Sequence, residues 1–180
     1  MSDLPVCLRV DLDYVPWDSD EFGHFEPAGT QKLLLLAQQE GWKMHFFCSL
    51  RTLSAFRSLP DAILNDGHDL DWLVEKGDSL EDARTVFSEF GCEIMGCALA
   101  GNDSERFDLA FCLPAAQRFS SMAEWSRASS ESKDGVISIK PGFLVKSDPG
   151  FSHLKTLVRA ALADGRRMRT YREITSPPAS

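Results

Sequence analysis

Residues 6–14 read VCLRVDLDY, an apolar, strand-like run that ends by setting Asp11 and Asp13 two residues apart. In an extended chain, side chains at i and i+2 leave the same face, so both carboxylates point one way at the carboxyl end of an early strand. Paired carboxylates repel each other, and a bound cation or a shared proton is the usual relief, which suits such a pair to catalysis. A strand that turns into a polar loop also explains the spacing, so the pair marks a place to look rather than an activity.

Outward from this strand, helical and extended stretches alternate. Residues 15–27 form a loop rich in Pro, Trp and acidic residues, long enough to cover a site. A helix is expected over 28–40, stopped by Gly41, and a strand over 43–48 (KMHFFC). A helical region spans 50–65, interrupted at Pro60 and closed by Gly67, before a short strand at 69–74. Ser79, with Asp82 three positions on, caps a helix through Phe90 that ends at Gly91. Strands follow at 93–99 and 109–112, separated by a polar loop at 101–106. Residues 120–134 read as a loop around a short helix, ahead of strands at 136–139 and 143–145, with Pro141 and Gly142 between them. A helix over 151–164, capped by Ser152 and ended by Gly165, leads to a last strand at 168–171. Strands alternating with helices require a parallel sheet covered by helices, as an irregular β/α barrel or a doubly wound sheet. One domain is expected over 1–174, with a polar, frayed tail at 175–180.

The chain has 180 residues and a formal net charge of −8, with a pI near 5.0. That balance gives no basic footprint for nucleic acid or an anionic membrane. The amino terminus lacks a basic segment followed by a long apolar stretch, and no eighteen apolar residues run together, so a cytoplasmic protein is expected. The five cysteines form no C-x-x-C pair and sit mostly in apolar runs, where a free thiol behaves as a small hydrophobe.

Four segments, in order, give the sequence its resemblance to the polysaccharide deacetylase superfamily. They are LRVDLDY (8–14), GWKMHFFCS (41–49), DAILNDGHDLDW (61–72) and ADGRRMRTYREI (163–174). The resemblance implies an irregular β/α barrel and a metal-dependent hydrolase of C–N bonds in an acylated amino sugar, with Asp11 as general base and Asp13 as metal ligand. A metal with open positions polarises an amide carbonyl and acidifies its bound water, while the neighbouring carboxylate takes the proton. The pattern then departs from the family. Family members follow the GHDLDW-like segment with H-[ST]-x-x-H, whose histidines complete the metal site; here those positions hold Leu73 and Gly77. No arginine ends the strand at 93–99, and the Leu-x-His expected before the last helix reads LVKSD (144–148). The resemblance therefore implies a ligand-binding or catalytically altered relative in carbohydrate metabolism, its usual zinc site incomplete, with an active metal-dependent deacetylase as the alternative.

A second resemblance covers part of the same stretch. The haloacid dehalogenase-like phosphatases carry D-x-D-x-[TV], a Ser or Thr ending the next strand, a Lys, and G-D-x-x-x-D. The matching residues are Asp11, Asp13, Val15, Ser49, Lys76, Asp78 and Asp82. That chemistry would make Asp11 a nucleophile toward phosphorus and use magnesium. Against it, Asp78 follows Val-Glu-Lys-Gly rather than an apolar strand, the interval from Ser49 is short, and about a hundred residues follow unexplained.

Four histidines, His24, His45, His68 and His153, include no metal-spaced pair. His24, beside Glu26 on the covering loop, is a candidate to swing toward the two aspartates, whereas His45 and His68 read as structural. Asp71 shares a strand face with Asp69 and is a candidate to join Asp13 in a carboxylate cluster suited to magnesium or calcium. Trp17 and Trp72 are candidate platforms for a sugar ring, and a small-molecule or sugar ligand is the expected partner.

Overall fold

The computed structural model describes residues 5–14, 26–101, 107–147 and 149–175. Strand β1 (Cys7–Leu12) leads into helix α1 (Glu26–Glu40), and the chain reverses at Gly41, whose φ of 68° an L side chain adopts at a cost. After β2 (His45–Cys48) come α2 (Leu50–Ala55) and α3 (Leu59–Asn65). The break falls at residues 56–58 rather than at Pro60, because Pro60 sits in the first turn of α3, where its missing N–H costs no helical bond. Strand β3 (Asp69–Val74) precedes α4 (Leu80–Ser88), which Ser79 caps by accepting the Asp82 N–H. Then follow β4 (Gly96–Leu99), β5 (Phe111–Leu113), α5 (Met122–Ser130) and β6 (Val136–Ile139).

The last third departs from the expectation in three places. The apolar residues at 143–145 lie in helix α6 (Pro141–Lys146), because Pro141 takes the first helical turn and starts a helix directly after β6. Ser152 lies inside α7 (Gly150–Ala163), whose N-cap is Pro149, with no side-chain cap bond. The strand expected at 168–171 reduces to a single parallel bridge between Val6 and Met168, and Tyr171 opens the short helix α8 (Tyr171–Thr175).

All six strands pair in parallel, in the order β5-β4-β3-β2-β1-β6. From β1 to β5 each new strand adds on the same side, and β6 returns to the free side of β1. The sheet curls into a half-barrel. Its curl is visible in contacts that a flat sheet forbids: Arg9 on β1 donates to the Pro114 carbonyl just past β5, at 2.8 Å. Phe47, Leu73, Ala98 and Phe111 pack together inside the curl, whereas Leu8, Val10, Leu12, Phe46, Leu70 and Trp72 face the outer helices. Each fully buried aliphatic side chain contributes roughly 1.5–3 kcal/mol. Among the described residues no helix is long and apolar enough to cross a membrane.

Candidate functional site

Alternation along β1 sends Leu8, Val10 and Leu12 outward and leaves Arg9, Asp11 and Asp13 on the inner face, toward the carboxyl ends of the strands. Active sites of β/α barrels gather at this end, because the βα loops there converge around it. Arg9 grips Asp11 with a fork: Nε donates to Oδ1 at 2.8 Å and Nη2 to Oδ2 at 2.7 Å. Its third nitrogen, Nη1, is the one that reaches the Pro114 carbonyl, and the guanidinium lies 5.4 Å from the Phe47 ring centre. Burial works against the Arg9 charge, but the Asp11 carboxylate outweighs it and the pKa rises.

Asp13 has a different cation. The Lys140 ammonium donates to Asp13 Oδ1 at 2.9 Å, and its side chain is 41% exposed. Lys140 stands between the end of β6 and the first turn of α6, so both elements aim it across β1 at Asp13. Burial lowers the Lys140 pKa, the charge and hydrogen bond of Asp13 raise it more, and Arg118 pulls weakly the other way. Arg51, from α2, donates to the Asp13 backbone carbonyl at 3.2 Å and to both oxygens of Glu75.

These groups line a cavity of about 290 Å³, together with Leu73, Arg118, Phe119, Trp125 and Phe143. A second cavity of about 610 Å³ runs along the seam between β5 and β6, and Arg9, Phe119 and Ser138 border both. Each aspartate thus meets a cation of the chain itself, and among the described residues the polar groups that remain at the cavity include the other N–H bonds of Lys140, the Arg118 guanidinium, the Gln117 amide and the Ser138 hydroxyl.

The expected site residues separate. Asp11 and Asp13 share the cavity, and Leu73 faces into it with them. Asp71 does not join them. It is fully buried, taking hydrogen bonds from His45 Nε2 (3.0 Å), Arg172 Nε (2.9 Å) and the backbone N–H groups of Met95 (2.7 Å) and Gly96 (3.1 Å). With its oxygens so occupied it has no lone pair aimed at Asp13. Trp72 also differs from expectation: it neighbours the inward Leu73 on β3 and so points outward, fully buried, with its ring 4.8 Å from Phe107 and its Nε1 3.4 Å from Asp78. It offers no face to a sugar. His24 and Trp17 lie outside the described residues. His45 stacks on Phe47 inside the curl, His68 accepts the Met44 N–H, and His153 is exposed on α7. Among the described residues no three His, Cys, Asp or Glu side chains gather as a metal site would. Asp78, which the phosphatase layout needs beside Asp11, instead accepts from the Glu75 N–H and the Trp72 indole.

The sequence reading passed over Arg9, Lys140 and Arg118. Arg9 had a signal, its i, i+2 spacing to Asp11 on a strand, whereas Lys140 lies 127 residues from Asp13 and had none.

No protein-family model matches the chain, and no curated protein matches it by sequence. Solved structures do match in fold. A CE4 family pseudoenzyme from Bacillus anthracis superposes with a TM-score of 0.66 at 10% identity, over 97% of this chain and 67% of that one. The peptidoglycan deacetylase PdaC from Bacillus subtilis gives 0.63 at 11% identity, over 97% and 92%. A family 4 carbohydrate esterase from Streptomyces lividans, solved with acetate, gives 0.62 at 12% identity, over 92% of each chain. The chain shares its fold with these solved structures.

Proposed function

We propose that the chain binds a saccharide in the cavity bordered by Asp11 and Asp13, in a site where the metal-dependent amide hydrolysis implied by its resemblance has been lost or altered. The carrying observation is the Lys140 ammonium, 2.9 Å from Asp13 Oδ1. An internal cation supplies the charge that a divalent ion would bring to Asp13, without the open coordination positions that activate water. The donor set around it does not fit a divalent ion. Leu73 brings hydrocarbon into the cavity, and Gly77, where the resemblance would put a second histidine, has φ +92°, a conformation that a histidine adopts only with strain. Asp11, the residue proposed as base, has both oxygens engaged by Arg9.

The fold tolerates such a history: the Bacillus anthracis neighbour is a pseudoenzyme, and a mutant of it has restored enzymatic activity. A role in carbohydrate metabolism inside the cell, with neither nucleic acid nor membrane as partner, fits the acidic balance of the chain. The test is a titration with N-acetylated chitooligosaccharides followed by NMR, with released acetate read in the same tubes. Binding without acetate, before and after added zinc or cobalt, supports the reading. Acetate release that needs added metal and disappears in Asp13→Asn overturns it in favour of an active deacetylase.

A further inference from the structure

The cavity holds more positive than negative charge among the described residues. Arg9, Lys140 and Arg118 line it, against Asp11 and Asp13. Two of the cations are committed. Arg9 spends Nε and Nη2 on Asp11 and Nη1 on Pro114. Lys140 spends one of its three N–H bonds on Asp13 and is partly exposed, so its other donors remain available to the cavity. Arg118 is exposed at the cavity wall and meets no carboxylate among the described residues. It shares the cavity lining with Lys140, and its charge weakly opposes the Lys140 charge. Two cations lining one cavity are relieved by an anion between them, and a guanidinium offers a planar fork that matches a carboxylate or phosphate. Phe119, adjacent to Arg118, and Phe143, three residues past Lys140, add apolar wall to the cavity.

We propose that the ligand of this cavity is an anionic saccharide, its carboxylate or phosphate group held between Arg118 and Lys140 and its ring against the Phe119 and Phe143 walls. This rests on the saccharide-binding reading above and narrows it: the two built-in ion pairs leave the site selective for negative charge, where a metal site would bind a neutral amide.

The experiment is calorimetric titration of the full chain with three probes, N-acetylglucosamine, glucuronic acid and N-acetylglucosamine 6-phosphate, in the wild type, Arg118→Ala and Arg118→Glu. Arg118 is exposed, so neither variant disturbs the core. The expected result is that at least one anionic probe binds about tenfold more tightly than the neutral sugar, a preference of about 1.4 kcal/mol. The preference shrinks with added salt, falls in Arg118→Ala and is abolished in Arg118→Glu. Which anionic probe leads identifies the group as carboxylate or phosphate. Equal affinity for all three sugars, or a preference unchanged in Arg118→Glu, overturns the inference and leaves saccharide binding standing. Failure of any sugar to bind overturns both.

Discussion

Asp11 and Arg9 are the most buried ion pair of the site, and their strength comes from position. Two residues apart on β1, they share the inner face, and burial leaves Arg9 with a side-chain exposure of 5% and Asp11 with 17%. Truncating one partner of such a pair strands the other charge in a poorly solvated place, at about 3 kcal/mol. Arg9→Met is therefore expected to lower the urea unfolding free energy by about that much, and the double variant Arg9→Met with Asp11→Asn by less than the sum of the singles, through coupling. Additive losses would mean that the pair is solvated and weak. At this scale the sequence was half legible. The alternation that turned Asp11 and Asp13 inward was readable in VCLRVDLDY, and the same alternation turned Trp72 away from the cavity and Leu73 into it. Lys140 was not readable, because only the return of β6 to the side of β1 brings it to Asp13.

At the scale of elements, what fixes Lys140 is the packing of α6 against α1. Gly29 of α1 leaves so little room that an added Cβ would stand 2.5 Å from the Pro141 carbonyl oxygen. Gly29→Ala has to push α6 away, and overpacking of this kind costs about 2 kcal/mol. The Tm is expected to fall, and because Pro141 follows Lys140, the Lys140–Asp13 contact is expected to loosen, seen as a change in the NMR shift of the Lys140 side chain. An unchanged Tm and shift would show that the two helices slide freely. Most elements here were legible from caps and breakers: Gly41 ended α1 and Ser79 opened α4 as their chemistry requires. Residues 143–145 misled because three consecutive apolar side chains fit a short buried strand and a buried helical turn alike, and Pro141 at the first helical turn decided for the helix.

At the scale of the whole molecule, the half-barrel is tied at its far end by a buried network. Asp71 of β3 joins His45 of β2 and Arg172 of α8, and Arg172 also donates to the carbonyls of Leu70 (2.7 Å) and Glu93 (2.8 Å). Burial alone would raise the Asp71 pKa, but the hydrogen bonds from His45 and Arg172 and the Arg172 charge outweigh it and hold the carboxyl below its ordinary value. A carboxyl depressed in the folded state contributes stability that is fully present above its unfolded pKa, about 3.9, and is lost as pH falls through the folded value. Asp71→Asn is therefore expected to destabilise the protein at pH 6, and the gap in Tm between wild type and variant should narrow below pH 4. A gap that stays constant down to pH 2 would remove Asp71 from this account. The alternation of strands and helices made a parallel α/β fold legible. That Asp71 serves this tie rather than the cavity was not legible, because its partner Arg172 is 101 residues away and arrives only when α8 closes the curl.

The central claim, that Lys140 stands where a divalent cation would sit on Asp13, is tested most directly by equilibrium dialysis of the purified chain against zinc, with the retained metal measured per chain. The account predicts retention well below one equivalent and no difference between wild type and Asp13→Asn. One equivalent of zinc held by the wild type and lost in Asp13→Asn would contradict it.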